Sequence, residues 1–137
     1  MNFELLDHPA DIGFRAHATT LPGLFANSAQ ALVYLILDPS RIELYQELQL
    51  GAEAADYESL LVNWLNEVLY LTDSKRLALG SFEIVQLNQT QLKCIARGER
   101  RDPAKHPAKL VVKAVTYHQL KIVRTPYGWS ADVYVDV

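Results

Sequence analysis

Residues 129–137 (WSADVYVDV) alternate apolar and polar side chains. The odd-numbered residues from Trp129 to Val137 are all apolar, while the even-numbered ones carry hydroxyl or carboxylate groups. A period of two residues is typical of a strand with one face against a core. We therefore predict a strand over 129–137 with its odd-numbered side chains in the core.

The segments before this strand extend the pattern. Four further strands are predicted at 81–87, 91–97, 109–116 and 118–124, and three more at 3–6, 12–18 and 42–50. Apolar residues at helical spacing predict one helix after a cap at Thr20 and a second after an N-cap at Asp56. Strands around two helices predict an α+β fold: a mixed, mostly antiparallel β-sheet with two α-helices packed on one face.

The composition fits a single domain over residues 1–137, since 50% of the residues are hydrophobic and 21% are charged. A lone cysteine, Cys94, excludes a disulfide framework and the cysteine-rich zinc motifs, and its apolar neighbours predict a small core residue. Residues 1–7 lack the basic and apolar regions of a signal peptide, and the longest apolar stretch, 31–37, is too short to cross a bilayer. We expect a cytoplasmic protein with no membrane contact.

Charge is distributed unevenly along the chain. Residues 93–124 contain nine Lys or Arg and two acidic residues, a local charge of +7, and the other residues carry four basic and fourteen acidic groups, a local −10. Two interpretations stay open: the basic residues are solvated positions on strands and a loop, or they form a functional basic surface.

Hard oxygen donors collect at the end of the predicted strand 129–137. The carboxylate of Asp136 lies beside the carbonyl and terminal carboxylate of Val137, and Ca²⁺, Mg²⁺ and Mn²⁺ favour such oxygens. These adjacent oxygens fill too few coordination positions, so a metal site would need a ligand from elsewhere. A solvated acidic strand end is the alternative interpretation.

The loop predicted at 7–11 (DHPAD) offers Asp7, His8 and Asp11 as candidate ligands, or as turn-forming residues. A second irregular segment, 98–108, carries Glu99 and Asp102 followed by Lys105 and His106; such loops often carry function.

Lys113 follows in the predicted strand 109–116 and shares its parity with Val111 and Val115, so it either reaches an edge or pairs with a carboxylate. There is no glycine-rich phosphate loop, no His-x-x-x-His pair and no Gly-x-Ser-x-Gly elbow in the chain. The absence of a nucleophile motif favours a non-enzymatic role.

In their order along the chain, several stretches resemble the archease family. They are DHPADIG at 7–13, TLPGLF at 20–25, LLVNWLNEVLY at 60–70, GE at 98–99, KHP at 105–107, VKAVTYH at 112–118 and VDV at 135–137. The resemblance covers essentially the whole chain. It implies a chaperone-like helper, not an enzyme, that activates an RtcB-type RNA ligase in tRNA splicing and RNA repair and so meets tRNA only indirectly.

The resemblance also implies how such a helper acts. It promotes guanylylation and repeated turnover of the ligase, whose own cofactors are GTP and a divalent metal. In the family, the second Asp of the N-terminal motif and the penultimate Asp hold a metal with help from the last residue; here these are Asp11, Asp136 and Val137. A functional lysine is implied as well, with Lys105 as the first candidate and Lys113 as the second.

The chain departs from the family pattern at Pro9, where a threonine is usual, and at Val137, where isoleucine is common. Neither change removes a carboxylate, although Pro9 lacks a backbone donor. Two alternatives compete with the helper role. One is a metal-dependent hydrolase or nucleotidyl-transfer enzyme using Asp11 and Asp136, and the other is an RNA-binding adaptor using the basic segment 93–124.

Overall fold

The computed structural model describes the backbone of residues 2–8 and 11–137 and the side chains of residues 2–6 and 12–137. Its elements, in chain order, are β1 (Phe3–His8), β2 (Asp11–Ala18), α1 (Leu21–Ile36), a 3-10 turn (Pro39–Arg41), β3 (Gln46–Glu53), α2 (Tyr57–Asp73), β4 (Leu77–Leu87), β5 (Gln91–Arg100), β6 (Ala114–Val115), β7 (Lys121–Thr125) and β8 (Gly128–Asp136). The α+β prediction is confirmed.

The strands form two sheets instead of the single sheet expected, and every described strand pair is antiparallel. One sheet has the order β3-β5-β4. In the other, β8 is central: β2 lies along one side, with β1 beyond it, and β7 and β6 share the opposite side. In the first sheet β5 pairs with β4, the strand directly before it, and with β3, which precedes α2, whereas β8 pairs with strands from both ends of the chain.

Both helices begin where the sequence predicts, because their caps are local. The Thr20 hydroxyl accepts a hydrogen bond from the Gly23 backbone N–H at 3.1 Å, and the Asp56 carboxylate accepts one from Ser59 at 2.8 Å. Helix α1 packs on β2 of one sheet and β4 of the other, and α2 contacts α1 and β3. The two sheets and two helices therefore share one core. Within the described part of the chain, no helix combines the length and apolar character needed to span a membrane.

The largest difference from the sequence prediction lies at 109–116, where only Ala114–Val115 is a strand. The preceding residues bond to the end of α1 instead: Ala108 bridges to Leu37, and the Lys109 N–H donates to the Ile36 carbonyl at 2.8 Å. The predicted alternation is wrong here.

Lys113 accordingly does not share a side with both valines of that segment. It is exposed, as is Val111 at 70%, whereas Val115 is buried. The change of side follows from the irregular backbone, since strict alternation holds only in a continuous strand.

Strand ends also differ from the predictions. β1 runs to His8 and β2 starts at Asp11, so the predicted loop at 7–11 is too long; Pro9 lies outside the described residues. β3 begins only at Gln46. The core parity of β8 is confirmed at its buried alanine and valines, but Val137 is half exposed because the strand ends one residue earlier.

Candidate functional site

Asp136 is the last residue of β8, and its side chain is exposed. The register places Ile12 opposite Val135. Asp11, the first residue of β2, and Asp136 are each one residue from this pair and leave it towards the same end of the two strands. The side chains of Asp7, His8 and Asp11 lie outside the described residues, and the backbone of Asp11 gives its position at this end of β2.

The backbone at Asp136 is fixed from the side opposite β2. Ala114 pairs with Asp136, and the Lys113 N–H donates to the Asp136 carbonyl at 2.7 Å. The structure thus brings Lys113 next to Asp136 through the main chain, with the lysine side chain exposed.

The residue types at this end suit a hard divalent cation: two aspartates whose backbones lie at the same end of a strand pair, together with the oxygens of Val137. Among the side chains of residues 2–6 and 12–137, no three His, Cys, Asp or Glu come together as a metal site. A metal here would therefore depend on Asp11 as well as Asp136.

The two carboxylates on the polar face of β8 are not equally available to bind a metal. The guanidinium of Arg15, in β2, donates to both oxygens of Asp132 at 2.6 and 3.0 Å. These hydrogen bonds and the charge of Asp132 raise the pKa of Arg15 further above its usual value. Asp132 is thereby committed to an ion pair within the sheet.

A second polar cluster forms around Glu99 at the end of β5. One Glu99 oxygen accepts from the Lys105 ammonium at 2.9 Å, and the other lies 2.9 Å from Nε2 of His106. That second oxygen also accepts from the backbone N–H of Glu43 at 2.8 Å. The Glu43 hydrogen bond, followed by that from Lys105, lowers the pKa of the Glu99 carboxyl to about 2. The same contact with Glu99 raises the pKa of Lys105.

His106 is fully buried, and both of its ring nitrogens are used. Nδ1 accepts a hydrogen bond from the backbone N–H of Asp102 at 3.0 Å, so the ring proton lies on Nε2 and points to Glu99. The predicted loop at 98–108 begins too early, because β5 runs to Arg100 and Glu99 is a strand residue. The structure nevertheless brings Glu99, Lys105 and His106 into contact. Their contacts are with one another and with the main chain, an arrangement that ties the segment after β5 to the residues before β3.

Two residues that make contacts near these sites, Glu43 and Asn66, were not predicted from the sequence. The Glu43 backbone N–H enters the Glu99 cluster from 56 positions away, and Asn66, in α2, bonds to Val115 from 49 positions away. No local pattern marks either contact. The only signal for Asn66 is its polarity beside the apolar stripe of α2.

Comparison with known proteins supplies the family. A sequence model of the archease protein family matches residues 3–137. The chain is 41% identical to the archease of Pyrococcus furiosus over 140 residues, which cover 98% of each chain, and 36% identical to that of Methanosarcina mazei over 139 residues, covering 98% of this chain and 95% of the relative.

Solved structures agree with these matches. The solution structure of a Methanobacterium thermoautotrophicum protein superimposes with a TM-score of 0.80 at 30% identity, covering 99% of both chains. The crystal structure of a Thermotoga maritima protein, described as an archease and possible chaperone, matches in fold with a TM-score of 0.60 at 22% identity, covering 96% of this chain and 94% of that one. This chain belongs to the archease family.

Proposed function

We propose that this chain is a non-catalytic helper of an RtcB-type RNA ligase in tRNA splicing and RNA repair, and that it promotes guanylylation and repeated turnover of the ligase. The observation that carries the proposal is the β2–β8 register, in which Ile12 faces Val135. This register supports a divalent-metal site built from Asp11, Asp136 and Val137. The description of the Thermotoga maritima relative as a possible chaperone is in keeping with a protein that serves another.

In this proposal the residues at the end of β8 hold a cation at an exposed edge that a larger protein can approach. Asp11 and Asp136 supply the negative charge, and the Lys113 N–H orients the Asp136 main chain. A bound Ca²⁺, Mg²⁺ or Mn²⁺ would supply positive charge that can neutralise phosphate oxygens.

The geometry favours Lys113 over Lys105 as the functional lysine. Lys105 is held by Glu99, whereas the exposed side chain of Lys113 starts beside Asp136. A cytoplasmic location is part of the proposal, because a lone buried thiol such as Cys94 fits a reducing compartment.

The test is a guanylylation assay of a cognate ligase with GTP, across a range of Mn²⁺ concentrations, with and without this protein. Asp11→Asn and Asp136→Asn are expected to abolish the stimulation while circular dichroism shows an unchanged fold. Asp132→Asn is the matched control, because it removes a carboxylate from the same strand but one that is paired with Arg15. Full stimulation by both site variants would contradict the proposal.

Two further measurements on the purified protein distinguish the alternative functions. Turnover of GTP or of an RNA end without any ligase would favour an enzyme. An RNA affinity that falls steeply with salt would favour an adaptor. The structure offers little support for the adaptor, since Arg97 is paired with Glu47 and Glu83, and Lys109 lies over the ring of Tyr34.

A further inference from the structure

Strand β6 is too short to hold its own position. It contains only Ala114 and Val115 and pairs with β8 along one side. Strands of this length have little independent stability. On its other side it faces α2, and none of the described strands continues the sheet there, so both backbone groups of Val115 on that side need a partner.

Asn66 supplies that partner. Its Oδ1 accepts a hydrogen bond from the Val115 N–H at 2.9 Å, and its Nδ2 donates to the Val115 carbonyl at 3.2 Å. A side-chain amide has the same donor and acceptor as a peptide group. Asn66 therefore takes the place that a neighbouring strand would occupy and fixes β6 to a helix.

The helix end of this link is rigid. The residues beside Asn66 on the inner face of α2, Leu65 and Leu69, are buried, and the indole of Trp64 donates to the Phe25 carbonyl at 3.1 Å. The core therefore sets the position of Asn66, and the two hydrogen bonds of Asn66 set the position of Val115.

From Val115 the link continues to the candidate metal site. Val115 pairs with Val135, Ala114 with Asp136, and the Lys113 N–H holds the Asp136 carbonyl at 2.7 Å. On the opposite side of β8 the same region is held by β2 through Ile12. Between these two neighbours the backbone of Asp136 has one orientation.

We infer that Asn66 is a positioning residue for divalent-cation binding at Asp136: it anchors β6 so that β6 can fix the Asp136 main chain. The inference rests on the proposed function, because it takes the cation site at Asp11 and Asp136 as given. Groups that hydrogen-bond directly to a metal ligand typically contribute roughly 10- to 100-fold to metal affinity. Because Asn66 acts on Asp136 through β6, its contribution is expected at the lower end, about 10-fold.

The test measures Mn²⁺ binding alone, by the loss of the free-ion electron paramagnetic resonance signal on titration into purified protein. Asn66→Ala and Asn66→Leu are both expected to raise the Kd about 10-fold. The leucine variant removes the hydrogen bonds but keeps the side-chain volume. Asn63→Ala is the matched control. Asn63 lies one turn earlier on α2 and also donates its amide to a main-chain carbonyl, that of Glu53 at 2.7 Å, far from β6. Its Kd should equal that of the unaltered protein.

Asp136→Asn distinguishes a failure of the role of Asn66 from a failure of the cation site itself. If it loses Mn²⁺ while both Asn66 variants bind as tightly as the unaltered protein, the role of Asn66 is refuted and the proposed function stands. Equal weakening by Asn63→Ala would also refute it, since general destabilisation would then explain the effect. If Asp136→Asn itself binds Mn²⁺ as tightly as the unaltered protein, both the proposed cation site and the role of Asn66 are refuted.

A second measurement needs no variant. Coupling between two sites is reciprocal, so a cation that depends on β6 must stabilise β6 in return. Saturating Mg²⁺ is expected to slow amide hydrogen exchange at Val115 and Lys113 in the unaltered protein, as followed by nuclear magnetic resonance. Unchanged exchange at both amides, with Mg²⁺ bound, would overturn the inference even if the Asn66 variants did not fold.

Discussion

Replacing Gly13 with alanine should disturb the strand pair that carries both candidate ligands. Gly13 lies in β2, is paired with Tyr134 in β8 and is buried. A Cβ at this position would lie 2.2 Å from the Val133 carbonyl oxygen and 2.9 Å from a ring carbon of Tyr134. The nearer contact is with main chain, which cannot rotate away as a side chain can, so β2 and β8 would have to separate.

The expected change in the free energy of unfolding of Gly13→Ala follows from two opposed effects. Alanine in place of glycine within a strand restricts the unfolded chain and gains about 0.5 to 1 kcal/mol. Overpacking typically costs about 1 to 3 kcal/mol, and a main-chain overlap of about 1 Å belongs at the upper end of that range. We expect the free energy of unfolding to fall by about 2 kcal/mol, which for a domain of this size corresponds to a fall in Tm of about 6 to 8 °C.

The assay is thermal and denaturant unfolding followed by circular dichroism, with Gly51→Ala as the control. Gly51 lies in β3 of the other sheet, and its added Cβ would meet the Leu92 carbonyl at 3.2 Å, a contact that a small shift relieves. Gly51→Ala is therefore expected to change Tm little. Equal Tm values for Gly13→Ala and the unaltered protein would refute the close approach of β2 to β8 that underlies the placement of Asp11 beside Asp136.

Two further predictions concern other parts of the molecule. The pKa of Glu99 is about 2 in the folded chain, below the ordinary 4.5, so its contribution to stability is present above pH 4.5 and is lost as the pH falls towards 2. Glu99→Gln should therefore lower Tm at neutral pH and reduce the dependence of Tm on pH over that interval; an unchanged pH profile would contradict the contacts with Glu43 and Lys105. Burial raises the pKa of the Cys94 thiol to about 11, so a disulfide reagent at pH 8 should react with it only after denaturation, and rapid reaction in the native state would show that β5 is open to solvent.

The sequence predicts those features whose causes are local. Thr20 and Asp56 are helix caps because each accepts from an N–H three residues ahead, and the alternation in β8 follows from strand geometry. Cys94 is buried as its apolar neighbours indicate.

Features decided by distant contacts could not be read in this way. The path of residues 108–113 is set by the end of α1, through hydrogen bonding of Lys109 to Ile36. The division into two sheets depends on pairing between strands that are far apart in the sequence. For the candidate site, the sequence gives the residue types of Asp11 and Asp136, while their common end of the strand pair is a property of the register. Asn66 shows the same limit, since its amide could serve any nearby main-chain group.

The central place of β8 has a consequence for the order of folding. Synthesis proceeds from the N-terminus, so β8 emerges after every strand it joins. Until then the pair of β1 and β2 has one edge of β2 unpaired. Helix α2 and the sheet of β3, β4 and β5 use neighbouring segments and can form earlier. The five-stranded sheet, with the end that carries Asp11 and Asp136, is therefore completed only when the last strand arrives. Its long-range pairing is expected to be the slow step of folding.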